Sequence, residues 1–261
     1  LFFFSGGLGV FFLGQGTLEA THNPKFHVYW MNPIVSELLP QRSMLLGLPY
    51  ALCILWSVFR LLQKKRNPNW QPFALGVAAS FLMIIHIHSY IVLVIISLIF
   101  FLHHPKKIPF WVAYAVGASI FSLLVYFKLH ASESRGSFLG WSFGWMAQES
   151  PAMNPVLFWL VNWGAFLPLA IAATYQKKSW RSPWVQGAFV LFLISNCVRL
   201  QPWVWDNAKL LTWTVLLLSP LVSAYLLELW KKKVPWKAVV SLSVGILCVS
   251  GAYDVAGIFR S

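Results

Sequence analysis

Charge is scarce in this chain: only 10% of its 261 residues are Asp, Glu, Lys or Arg, where soluble domains carry about a quarter. That is too few ionised groups to coat a water-soluble fold of this size. Cysteine is scarce too. Cys53, Cys197 and Cys248 each sit in an apolar segment, which suits a small soft packing residue and implies no disulfide framework. The chain opens at Leu1 inside an apolar run, with no initiator Met and no basic stretch before it. It therefore does not read as a signal peptide, and a fragment lacking its native N-terminus is expected. No internal repeat and no separate soluble domain can be found, so a single transmembrane domain over 1–261 is expected.

Hydrophobic residues make up 58% of the chain, and they fall in windows close to the length of about 20 that a spanning helix needs. The expected class is all-α, a polytopic transmembrane helical bundle of about nine membrane segments. A truncated span is expected at 1–13, with others near 44–63, 72–86, 89–103, 109–127, 157–175, 184–199, 209–229 and 238–256. Loops 14–43 and 128–156 are the long outer connections.

A formal charge of +13 invites a nucleic-acid reading, but such a protein gathers its basic residues on a soluble face. Here they cluster between spans, so no nucleic-acid partner is expected. Alternate loops divide them unevenly. One side collects Arg60, Lys64, Lys65, Arg66, Lys106, Lys107, Lys177, Lys178, Arg181, Lys231, Lys232, Lys233 and Lys237 against Glu228 alone. The other side holds seven basic residues against six acidic ones. The positive-inside bias makes the first side cytoplasmic. It also requires the run 72–103, basic at both ends, to turn back at His86-Ile87-His88-Ser89-Tyr90. Arms of about 15 residues rise about 22 Å, short of the hydrocarbon core, so a short re-entrant-like hairpin is expected. Trp70, Trp111, Trp180, Trp184, Trp230 and Trp236 fit an interfacial aromatic belt.

Four constellations carry candidate chemistry. Arg199, Gln201, Trp203, Trp205, Asp206, Asn207 and Lys209 crowd the mouth of two spans. The basic pair suits a phosphate, the polar pair hydroxyl groups and the tryptophans a sugar or prenyl chain; the bland alternative is a helix cap with interfacial anchors. His86 and His88 could converge at the turn on a phosphate or a proton path, or simply close it. A metal would need further ligands, so no cofactor is firmly expected and room is left for a divalent metal. Glu37 could serve as a base, with Gln41 and Arg42 beside it as phosphate ligands, unless Arg42 only snorkels to headgroups. Asn162 precedes Trp163-Gly164 and Pro168, placing an amide beside a carbonyl that proline leaves free, either as a pocket or as self-repair of a kinked helix. Ser5-Gly6-Gly7-Leu8-Gly9 lacks the context of a phosphate loop and suits close packing or a broken helix. Asp254 and Arg260 could pair at the end of the last span.

Taken together, Ser5-Gly6-Gly7-Leu8-Gly9, Leu39-Pro40-Gln41-Arg42, His86-Ile87-His88-Ser89, Asn162-Trp163-Gly164, Gln201-Pro202-Trp203-Val204-Trp205-Asp206-Asn207 with Lys209, and Ser250-Gly251-Ala252-Tyr253-Asp254 look like a group of multi-spanning proteins that resembles the GT-C superfamily of membrane glycosyltransferases. The resemblance implies a sugar donor carried on polyprenyl phosphate and transfer at the non-cytoplasmic face. The implied partners are the lipid bilayer and that lipid-linked sugar. The implied location is an integral membrane, the bacterial inner membrane first and the endoplasmic reticulum second. The family's acidic catalytic residue lies in its first long outer loop, and no residue here matches that motif. The rival expectations are a transporter or flippase of a lipid-linked or anionic solute, and a non-catalytic membrane scaffold.

Overall fold

The computed structural model describes residues 1–13, 20, 22–30, 32–65, 68, 70–131, 140–149, 153–200 and 204–259. Those residues are helical throughout, apart from one pair of two-residue strands and the loops between elements. They form two compact units, a middle unit Gln41–Phe138 and a terminal unit made of Leu1–Pro40 with Leu139–Ser261.

The middle unit holds α1 (Arg42–Gln63), α2 (Trp70–Ser80), α3 (Leu82–Ile85), α4 (Ile87–His103) and α5 (Ile108–Ala131). Two glycines let α2 and α5 touch backbone to backbone. A Cβ built on Gly117 would lie 3.1 Å from the Cα of Gly76 and 2.9 Å from the amide nitrogen of Val77, which is the close approach that small residues permit between apolar helices. Between α3 and α4 the helix is interrupted at His86, whose backbone is extended. Its Nδ1 accepts from the Ser89 amide at 3.3 Å and lies 2.8 Å from the Ser89 hydroxyl, so the imidazole acts as the N-cap of α4. Gly47 on α1 leaves room for this ring, since any side chain there would meet the Cβ of His86. At the opposite end, Lys107 donates to the carbonyls of Leu62 at 2.7 Å and Lys64 at 2.6 Å, which closes the open C-terminus of α1.

The terminal unit adds β1 (Gly140–Trp141), α6 (Trp145–Glu149), α7 (Pro155–Trp163), α8 (Phe166–Gln176), α9 (Pro183–Cys197), β2 (Val198–Arg199), α10 (Ala208–Trp230) and α11 (Val234–Ile258). β1 and β2 pair antiparallel, Gly140 opposite Arg199. The chain bends by 92° between α7 and α8, and the bend falls at Gly164, where φ is +55°, a conformation that glycine adopts without Cβ strain. Pro168 lies beyond it, inside α8.

Among the described residues four helices are long and apolar enough to cross a membrane: Arg42–Gln63, Ile108–Lys128, Ala208–Trp230 and Val234–Ile258. Counting the bent pair α7 and α8 as one span makes five. Trp70–Ile85, Ile87–His103 and Pro183–Cys197 are apolar but shorter, below the length a perpendicular crossing requires.

One expectation is corrected outright. Residues 1–13 do not form a truncated spanning helix; their only helical part is a single 3₁₀ turn, Gly9–Phe12. The segment instead threads between α7 and α11. The Gly6 amide donates to the Leu247 carbonyl at 3.0 Å and the Leu8 amide to the Val161 carbonyl at 2.9 Å. Ser250 donates to the Gly7 carbonyl at 2.8 Å and accepts from the Val10 amide at 3.0 Å. Glycines make this possible, because a Cβ on Gly7 or Gly9 would overlap the backbone of Val161 or Ala20.

Candidate functional site

Three polar side chains of the terminal unit, Thr212, Lys209 and Asp206, act on Glu37. Asn32-Pro33 starts a π-type helical segment, Pro33–Leu38, with the Asn32 carboxamide oxygen accepting from the amides of Ile34 at 2.9 Å and Val35 at 3.4 Å. The same amide group donates to the carbonyls of Phe3 and Ser5, both at 3.1 Å. Asn32 thus fixes this segment to the N-terminal segment, and the π-type turn points Glu37 inward, leaving it 3% exposed.

Facing Glu37 is the start of α10. A 3₁₀ turn, Val204–Asn207, leads into that helix, and Asp206 and Lys209 pair across one turn at 3.0 Å. Thr212, one turn further, presents a hydroxyl that acts on the Glu37 carboxyl group. The Oε2 of Glu37 is buried and has no hydrogen-bond partner among the described residues. Burial pushes the Glu37 carboxyl up to about 8; the Thr212 hydrogen bond and the Lys209 charge pull it down, and the Asp206 charge adds to the rise. A carboxyl group with its ionisation near neutrality can hold or accept a proton under working conditions.

The other expected residues take different positions. Asn207 holds β2, donating to the Val198 carbonyl and accepting from the Leu200 amide at 3.2 Å. Arg199 is exposed on β2, with its guanidinium packed over Gly140. Asn162 is fully buried. Its oxygen accepts from the amides of Tyr29 at 2.6 Å and Trp30 at 2.7 Å, and its nitrogen donates to the carbonyls of His27 and Phe158, both at 2.9 Å. Those four bonds fill the hydrogen-bonding capacity of a carboxamide, so Asn162 positions the loop 27–30. Gln201 and Trp203 lie outside the described residues, as does the side chain of Trp205. Gln41 and Arg42 begin the middle unit, Arg42 exposed at the first turn of α1. His86 and His88 also belong to the middle unit, both buried, with ring centroids 5.3 Å apart.

Asp254 accepts from the Ala20 amide at 2.7 Å; Arg260, its expected ion-pair partner, lies outside the described residues. Among the described residues no three His, Cys, Asp or Glu side chains gather as a metal site would require. Thr212 and Asn32 were not singled out from sequence. Asn32 carried a signal, the Asn-Pro pair of a helix start; Thr212, one hydroxyl in an apolar span, carried none.

Searches against protein families, curated proteins and solved structures find no match to this chain.

Proposed function

We propose that this chain is a multi-pass integral membrane glycosyltransferase of the GT-C type, using a sugar carried on polyprenyl phosphate at the non-cytoplasmic face. The observation that carries the reading is Glu37: a buried carboxyl group, ionising near 8, next to the Lys209 and Asp206 pair. In the reaction, the Glu37 carboxylate takes the proton of the acceptor hydroxyl as that oxygen bonds to the anomeric carbon. The bond from that carbon to the phosphate oxygen breaks, and polyprenyl phosphate leaves with the electron pair. Lys209 and Arg199 meet its charge. Within the middle unit, Arg42, His86 and His88 are candidate phosphate contacts of that unit alone. Eight membrane segments, with the lysine-rich turns cytoplasmic, complete the reading, in a bacterial inner membrane or the endoplasmic reticulum.

A second reading is favoured by the 92° bend between α7 and α8: interrupted helices beside a protonatable buried acid are parts that transporters use. Purified protein in lipid nanodiscs, offered labelled polyprenyl-phosphate sugars with a panel of acceptors, tests the enzyme. Labelled product with release of polyprenyl phosphate is expected, falling about a hundredfold or more in Glu37→Gln, the scale of a lost general base. No product from any donor, together with movement of intact donor across proteoliposomes, would overturn the enzyme in favour of the carrier.

A further inference from the structure

The middle unit contains a cleft that the proposed chemistry does not use. It is an open groove between the C-terminal half of α1 and the first turns of α2, with a volume of about 660 Å³, walled by Trp56, Arg60 and Leu61 on one side and Trp70, Gln71 and Ala74 on the other. That volume falls within the usual range of small-molecule sites.

We infer that this cleft binds the headgroup of an anionic glycerophospholipid, specifically one whose headgroup carries a free hydroxyl, as phosphatidylglycerol does. Charge is the first argument. Arg60 enters the cleft with its guanidinium over the Trp56 ring at 5.8 Å, and among the described residues no acidic side chain lines the cleft. Stacking on an indole leaves the guanidinium edge free and directed, and that fork matches two phosphate oxygens. Lys64 and Lys65 follow on the same helix end, both exposed. The carbonyls there would otherwise repel an anion, but Lys107 already donates to two of them. Facing them, α2 begins at Trp70, so the positive end of its dipole also opens on the cleft.

The second argument is an unmatched acceptor. The Oε1 of Gln71 is buried without a hydrogen-bond partner among the described residues, which costs free energy until a donor reaches it. The terminal amide torsion is soft, so a small rotation presents this oxygen to a donor in the cleft. Phosphate supplies acceptors only, so Arg60 and Gln71 together ask for a phosphodiester with a hydroxyl attached. A choline headgroup has no such donor.

Third, Trp56 and Trp70 are 53% and 66% exposed. Indoles at that exposure beside a basic cluster suit the glycerol level of a bilayer, where tryptophan concentrates, and basic pockets between helix ends are where anionic lipid headgroups are held.

Native mass spectrometry of the full chain, exchanged into equimolar phosphatidylglycerol and phosphatidylcholine, tests the site. The wild type is expected to retain phosphatidylglycerol about tenfold over phosphatidylcholine, and Arg60→Gln to bring the ratio near parity, the size of one charge-assisted contact. Gln71→Leu should keep the preference over phosphatidylcholine but lose discrimination between phosphatidylglycerol and phosphatidic acid. Equal retention by the wild type, or an unchanged preference in Arg60→Gln, overturns the proposal. So does displacement of bound lipid by millimolar glycerol phosphate, which would mark a soluble phosphate site. Should Arg60→Gln fail to purify as a helical, monodisperse chain, Arg60→Lys decides: it keeps the charge and removes the fork, and an undiminished preference would overturn the assignment.

Discussion

Thr212 links Glu37 to α10: its hydroxyl lies 3.4 Å from the carbonyl of Ala208 and lowers the ionisation that burial raises at the Glu37 carboxyl group. A hydroxyl can serve Glu37 in either protonation state. It donates to the carboxylate, or accepts from the acid while turning its own proton to Ala208.

A dependence of stability on pH follows. Burial raises Glu37 from 4.5 to about 8, so between those values the folded chain keeps a proton that the unfolded chain has released. Its contribution is fully present below 4.5 and is lost as pH rises through 8, at a slope of up to about 1.4 kcal/mol per pH unit. Thermal unfolding in nanodiscs should show a melting temperature that falls from pH 5 to pH 8, and Glu37→Gln should flatten that fall. An equal slope in the variant would assign the dependence elsewhere.

The sequence made the helical class legible because apolar windows and basic turns are averages over many residues, and averages survive local error. It made the interruption at His86 legible through charge, since Lys64 to Arg66 and Lys106 to Lys107 had to share a side, and Lys107 does bond the end of α1. The N-terminal segment was misread for the opposite reason. Leu1–Leu13 is apolar enough for a span, but Gly6, Gly7 and Gly9 serve approaches to Val161, Ala20 and Gly251 that are remote in sequence. Glu37 was named for its type and place, and its partner Thr212 was hidden in an apolar run more than 170 residues away. Asn162 was seen as polar and interior, yet nothing local says that its four bonds are spent on His27, Tyr29, Trp30 and Phe158.

Those four bonds make Asn162 the pin of the loop before Asn32. Replacing it with Ala removes all four bonds at once, at about 3 kcal/mol or more. Hydrogen exchange should accelerate at the amides of Tyr29 and Trp30 while α9 stays protected. Unchanged exchange at those two amides would show that the loop is held by other contacts.

The glycines divide by environment. Gly7→Ala pushes a methyl group into the backbone of Val161 and Asn162, which should cost about 3 kcal/mol because backbone cannot yield as a side chain does. Gly245→Ala, on α11 with nothing within 4 Å of its new Cβ, should gain about 0.5–1 kcal/mol from helix propensity. Melting temperatures of the two variants should therefore move in opposite directions; a shared loss would mean that α11 is covered at Gly245.

The charges beside Glu37 can be separated by sign. Asp206 raises its ionisation and Lys209 lowers it, both against a larger effect of burial. Removing the Asp206 charge with Asp206→Asn leaves Lys209 facing Glu37 alone, so the midpoint of the pH-dependent melting should move down by roughly 0.5 pH unit. Lys209→Met removes the only cation acting on the carboxyl among the described residues, and frees the Asp206 charge from its 3.0 Å partner. Its midpoint should move up. If catalysis depends on Glu37 as the base, the alkaline rise of the transfer rate should follow the same two shifts, because one proton governs both. Midpoints that move together in the two variants would mean that Asp206 and Lys209 act on Glu37 through packing and not through charge, and the base would then owe its ionisation to burial alone.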